Sequence, residues 1–325
     1  MKTLWIGLAL ASWMLTGCGD GCHCGKSETG APVAKDKVSG AEDGVKTETP
    51  LPEMVSVMGV GFSTPESALY DASADIILVS NVRGGPLNKD DDGFISRINV
   101  DGSVEKLRWI NGMLPETVLN APKGMALHGT TLYVSDIDEI RTFHRETGES
   151  LGSISVPGST FLNDLVAGPD GSLYCSDSGL VKGEQGLKPS GTDAIYKISP
   201  KGTVSVLAKG SELGRPNGLL LDGDLLWVVT FGSGELYSVN TSDGSRSTPI
   251  KLDKGTLDGL VKDMDGDFLI SSWEAKAVYK GPSTGPFMEV VQGFDAPADI
   301  GWDSKRHRLL IPLFNDDALD MHAMD

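Results

Sequence analysis

From residue 54 onward the chain alternates short apolar runs with polar turns, and helical periodicity appears nowhere convincingly. The recurring unit is a Pro- or Gly-led entrance, an apolar strand, a turn, a stronger apolar strand ending in Ser, Thr or Asp, and a polar strand pair. The strong second strands read IILVSN (76–81), TLYVSD (131–136), SLYCSD (172–177), LLWVVT (225–230), FLISSW (268–273) and LLIPLF (309–314). Asp170-Gly171, Asp222-Gly223 and Asp265-Gly266 sit between paired strands, and Asp101-Gly102 and Asp243-Gly244 sit at outer hairpins. Both residues of an Asp-Gly pair tolerate positive φ, as a tight hairpin requires. Asp258-Gly259 does not fit this rule, because it opens a strand.

Six copies over residues 54–325 give about 45 residues per unit, the period of a four-stranded propeller blade. The pattern therefore predicts an all-β chain, a six-bladed β-propeller of four-stranded blades. After Ala298 only three strand-like segments remain, IGWD, LLIPLF and ALDMHAM. MVSVMGV (54–60) is then expected to pair with the last blade and close the ring, removing the exposed edges of an open sheet.

Aligning the strand entrances gives PESALY, PKGMAL, LNDLVA, PNGLLL, LDGLVK and PADIGW. The residue after each leading position is Glu66, Lys123, Asn163, Asn217, Asp258 or Ala298. Innermost strands line a propeller's channel, so these six side chains are expected around one mouth of it. Two carboxylates and two amides are hard oxygen donors, suited to one divalent cation, Ca²⁺ before Zn²⁺, Mn²⁺ or Mg²⁺. Two inward carboxylates without a counter-ion would repel and be costly to desolvate. The alternative is that Lys123 neutralises one carboxylate and nothing binds.

With these motifs in order, the body resembles the SMP-30/gluconolactonase/LRE-like family of six-bladed propellers with one channel metal. The resemblance implies metal ligands at Glu66 in TPESALY, Asn163 in LNDLVAGPDGSLY, Asn217 in RPNGLLL and Asp258 in LDGLVKDMDGDF. It also implies hydrolysis of lactones or related esters, with the metal polarising the carbonyl and orienting water, and Asp258 as general base. Asp177, at the end of its strand, is a second candidate, and Lys123, Phe161 and Asp177 are expected to contact substrate. Phe161 stands where lactonases of the family often carry Arg. The rival expectation is a propeller that binds a ligand or partner on its top face without catalysis.

The N-terminus changes where such a domain would act. MKTLWIGLALASWMLTGC has one basic residue and an apolar run too short to span a bilayer, followed by small residues, the pattern of an export signal. LTGC resembles the lipobox of bacterial lipoproteins, so residues 1–17 are expected to be removed and Cys18 lipidated. Residues 18–53 contain no aromatic and read as a tether. The expected location is the cell envelope, with membrane contact through the anchor alone. Cys22-His23-Cys24 in the tether is a weak metal signal, and Cys175 reads as a buried free thiol.

The formal charge of −17 argues against nucleic acid as a partner. A monomer acting on a small molecule is the expectation. NKDDDGFIS (88–96) begins like an EF-hand loop but has Asn99 where the bidentate Glu belongs, so it reads as an acidic hairpin. H-E-x-x-H does not occur, and His23, His128, His144, His307 and His322 fall in the tether, turns or outer strands. GLVKGEQGLKPSGTD (179–193) could cover the channel mouth or be a plain surface loop.

Overall fold

The computed structural model describes residues 53–324. The export signal, Cys18, the Cys22-His23-Cys24 cluster and the tether up to residue 52 lie outside the described residues. Six four-stranded antiparallel sheets follow one another along the chain as blades. Blade one is Pro65–Asp71, Ile76–Asn81, Phe94–Asn99 and Val104–Asn111; blade two is Pro122–His128, Thr131–Asp136, Glu139–His144 and Ser150–Ser155. Blade three is Leu162–Ala167, Leu173–Asp177, Ala194–Ile198 and Val204–Lys209; blade four is Pro216–Asp222, Leu225–Thr230, Glu235–Asn240 and Ile250–Lys251. Blade five is Leu257–Lys262, Phe268–Ser272, Ala277–Gly281 and Met288–Gln292. Gly301–Asp303, Arg308–Leu313 and Ala318–Ala323 form most of blade six.

The fourth strand of blade six is Met54–Val57, in register Met54↔His322 to Val57↔Leu319. The ring therefore closes as the strand count requires. The core is divided into wedges between neighbouring blades, each built from the apolar second strands and the inner strands they face. At the closure, Val57, Leu319 and Met321 pack with Phe62, Ile77 and Val79. Arg306 reinforces the same seam by binding Asp75 at 2.6 Å across blades six and one.

One irregularity recurs at the inner edge and positions the channel. In blades one to five the ladder between first and second strands shifts register at the same place: Pro65/Ala68, Pro122/Met125, Leu162/Leu165, Pro216/Leu219 and Leu257/Leu260. Such a bulge leaves residues unpaired and re-aims their side chains. The bulged pairs are Glu66-Ser67, Lys123-Gly124, Asn163-Asp164, Asn217-Gly218 and Asp258-Gly259.

This explains Asp258-Gly259. Gly259 is absent from the positive-φ glycines, whereas Gly102, Gly171, Gly223, Gly244 and Gly266 all have positive φ. A Cβ on Gly259 would lie 2.2 Å from the Ile300 backbone nitrogen, so glycine is needed for close approach of adjacent inner strands and not for a turn. Gly218 meets the Asp258 carbonyl oxygen in the same way, at 2.3 Å. Gly259→Ala is accordingly expected to destabilise the domain by about 2–3 kcal/mol through backbone displacement. Urea denaturation checks this, and an unchanged midpoint would remove the close-approach explanation.

Candidate functional site

The second strands also hold the channel residues in place. Ser135 donates to the Asn163 carbonyl oxygen, Ser176 to that of Asn217 at 2.8 Å, and Ser271 to that of Ala298 at 2.7 Å. Each serine belongs to the preceding blade, so the backbone under each of these channel positions is fixed from a neighbouring sheet. These contacts account for Ser135 in TLYVSD, Ser176 in SLYCSD and Ser271 in FLISSW.

Glu66, Lys123, Asn163, Asn217 and Asp258 line one cavity of about 270 Å³, together with Phe161, Ser178, Trp273 and others. All five ring side chains are buried. The wall also includes Leu180 and Leu187. These leucines come from a two-stranded hairpin, Leu180–Gly183 with Gly186–Pro189, inserted in blade three. The 179–193 segment is thus a hairpin that contributes to the cavity wall. Residues 82–93 join the second and third strands of blade one, and the EF-hand-like stretch runs from this loop into the third strand at Phe94.

Three buried oxygens facing this ring have no hydrogen-bond partner: Glu66 Oε2, Asn217 Oδ1 and Asp258 Oδ1. Asn163 Nδ2 donates to Ser178 Oγ at 3.0 Å, which turns its amide oxygen the other way. A buried unpaired acceptor is costly, and several converging on one cavity make a donor set that suits a hard cation. Among the described residues no three His, Cys, Asp or Glu side chains form a metal cluster, so any such site depends on the two amides.

Electrostatics point the same way. Burial, then Asp258 and Asp299, push the Glu66 carboxyl well above the usual range, and Lys123 opposes them. Burial and Asp299 raise Asp258, opposed by the nearby Trp273 indole and Asn217 amide. Trp273 Nε1 is nevertheless without a hydrogen-bond partner. The floor therefore has an excess of buried negative charge that protons or a cation must neutralise.

Lys123 reaches neither carboxylate directly. Its Nζ donates to the carbonyl oxygens of Pro86 at 3.2 Å and Ala121 at 3.1 Å, and stands 4.5 Å from the Phe161 ring centroid. Burial lowers its pKa, while Glu66 and Asp136 raise it. Phe161 lies in the cavity wall, where its ring contacts a cation.

Asp177 lies elsewhere. Its Oδ2 accepts from Thr160 N–H at 3.1 Å and its Oδ1 from Phe161 and Gly179 N–H at 2.9 Å each, in place of substrate. Asp136 does the same in blade two, accepting from Asn120 and Ala121 N–H. The terminal Asp of a second strand thus pins the segment leading into its own first strand. Cys175 is a buried free thiol.

Two features escape an alignment confined to the ring position. One residue further on, Asp164 and Asp299 form a second acidic layer, with Ser67 Oγ donating to Asp299 Oδ2 at 2.6 Å. Burial pushes Asp299 up to about 7 and raises Asp164 well above the usual range, with Asp299 adding to the latter. The other feature is an aromatic arc one residue past the second strands: Phe231–Trp273 at 5.4 Å and Trp273–Phe314 at 5.3 Å between ring centroids.

No family model matches the chain, and no curated protein matches it by sequence. Solved structures do. A gluconolactonase from Xanthomonas campestris is 18% identical, with a TM-score of 0.65, covering 84% of this chain and 89% of its own. A structural-genomics protein assigned as a gluconolactonase is 20% identical, with a TM-score of 0.63 and coverages of 84% and 93%. Virginiamycin B lyase from Staphylococcus aureus is 13% identical, with a TM-score of 0.58 and coverages of 84% and 99%. At these identities the likeness concerns the fold, a gluconolactonase-like six-bladed propeller.

Proposed function

We propose that this chain is an extracytoplasmic hydrolase of lactones or related esters, dependent on one divalent cation and tethered to a membrane through Cys18. The observation that carries the reading is the convergence of Glu66 Oε2, Asn217 Oδ1 and Asp258 Oδ1, buried and unpartnered, on one cavity. A cation held by Glu66, Asn163, Asn217 and Asp258, Ca²⁺ by the chemistry of the donors, would polarise the substrate carbonyl and acidify a water.

The chain's own groups supply the rest. Asp258 takes a proton from the attacking water as its oxygen bonds to the carbonyl carbon. The acyl C–O bond of the ring breaks, and the proton passes to the leaving alkoxide, giving a hydroxy acid. Lys123, fixed by two backbone carbonyls, brings an ammonium to the cavity floor, where positive charge favours the carboxylate product. The second acidic layer adds to the negative field, Asp299 raising proton affinity at both Glu66 and Asp258 and Asp164 at Glu66.

A lyase reading, suggested by the Staphylococcus aureus neighbour, has a specific observation against it. That lyase is catalytically inactive when one histidine is replaced by alanine, and none of the described histidines of this chain lines the cavity. The test of the proposal is hydrolysis of lactones and aryl esters by the full chain after EDTA treatment and again with calcium restored. Turnover that vanishes with EDTA and returns with calcium is expected. Absence of turnover with every divalent ion, despite metal binding, would leave a ligand-binding propeller.

A further inference from the structure

The walls of the cavity differ in character from its floor. The floor holds two carboxylates, two amides and an ammonium. Above it stand Val82, Leu180, Leu187, Phe231, Trp273 and Phe314. Register explains much of this division: Val82, Phe231, Trp273 and Phe314 each occupy the position just past the second strand of their blade. Ser178 holds that position in blade three, but its hydroxyl is taken, donating to the Pro216 carbonyl oxygen at 2.8 Å and accepting from Asn163. Among these wall side chains one free polar group remains, Trp273 Nε1.

A sugar lactone carries a hydroxyl on nearly every ring carbon, and each buried hydroxyl without a partner is penalised. One indole N–H cannot satisfy several hydroxyls. An alkyl or aryl group placed against the aromatic arc requires no partner and gains by leaving water. The cavity, at about 270 Å³, admits one small molecule.

We infer that the substrate is a lactone or ester bearing an aliphatic or aryl substituent, its carbonyl on the acidic floor and its apolar group against Phe231, Trp273, Phe314 and Leu187. This rests on the hydrolase reading for the reaction, but not for the kind of molecule bound. Leu187 is 46% exposed on the inserted hairpin, so the apolar wall reaches the cavity entrance and suits a substituent extending outward.

The experiment compares three six-membered lactones on the calcium-loaded full chain: δ-valerolactone, δ-decalactone and glucono-1,5-lactone. δ-Decalactone is expected to have the highest kcat/KM, by at least about tenfold, since burial of two of its added methylenes suffices for that factor. In Leu187→Ser and Phe231→Ser the ratio of kcat/KM for δ-decalactone over δ-valerolactone is expected to fall several-fold. Preference for glucono-1,5-lactone, or an unchanged ratio in both variants, would overturn the inference while leaving the hydrolase intact. Calorimetric titration with the matching lactams separates the two readings. Tighter binding of the alkyl lactam with no lactone hydrolysed supports the apolar ligand and removes the hydrolase; tighter binding of the gluconolactam overturns the inference whatever the turnover.

Discussion

Asp258→Ala is expected to abolish stoichiometric calcium binding and to lower kcat/KM for lactones by about 10³-fold or more, since one residue supplies both a ligand and the general base. The fold should survive. Asp258 lies in a bulge between Gly218 and Gly259 contacts made by backbone, so its side chain is not what spaces the inner strands. Removing a buried carboxylate also relieves repulsion with Glu66. The metal-free variant should therefore unfold at pH 8 at a temperature no lower than the metal-free wild type. Calorimetric titration and a thermal scan check both halves; calcium bound one-to-one by the variant would show that the ligands lie elsewhere.

The second large effect is a reversal in how pH acts on the metal-free protein. Glu66, Asp164 and Asp258 all hold protons more tightly folded than unfolded, and burial pushes Asp299 up to about 7. A carboxyl whose pKa is raised by folding contributes stability below its unfolded value, near 4, and loses it as pH rises through the folded value. For Asp299 that window runs from about 4 to 7 and corresponds to at most about 4 kcal/mol. EDTA-treated protein should thus melt lower at pH 8 than at pH 5, by on the order of 10 °C for a domain of this size. Arg145 and backbone amides hold Asp71 below the usual range, so it acts in the opposite sense, losing stability only as pH falls through its folded pKa. Calcium should raise the melting temperature more at pH 8 than at pH 5, because the ionised floor is the form that binds it. A melting temperature that rises from pH 5 to 8 without metal would show that the channel carboxyls are not buried together.

The propeller was legible because blade repetition writes the same message six times. No single strand identifies it, but six strong apolar runs recurring along the chain, each with a weaker apolar strand before it, allow few alternatives, and the missing outer strand after Ala298 pointed to Met54–Val57. The ring of Glu66, Lys123, Asn163, Asn217 and Asp258 was legible for the same reason. Asp177 was misplaced because a strand-end carboxylate looks alike whether it faces a cavity or backbone amides, and only the backbone path shows three N–H groups around it. The acidic layer at Asp164 and Asp299 lay one residue beyond the aligned position, in a bulge that a two-residue period does not foresee. The aromatic arc was in view at Trp273 and Phe314, the last letters of FLISSW and LLIPLF, but Phe231 falls just after LLWVVT, and its meaning appears only when the blades are set side by side.

The most direct test of the account is a crystal structure of the chain grown with Mn²⁺ and measured for anomalous scattering. One strong peak is expected within about 2–2.6 Å of oxygens from Glu66, Asn163, Asn217 and Asp258. A well-ordered channel mouth with no peak there, and with the Lys123 amine drawn onto Glu66 as its counter-ion, would contradict it.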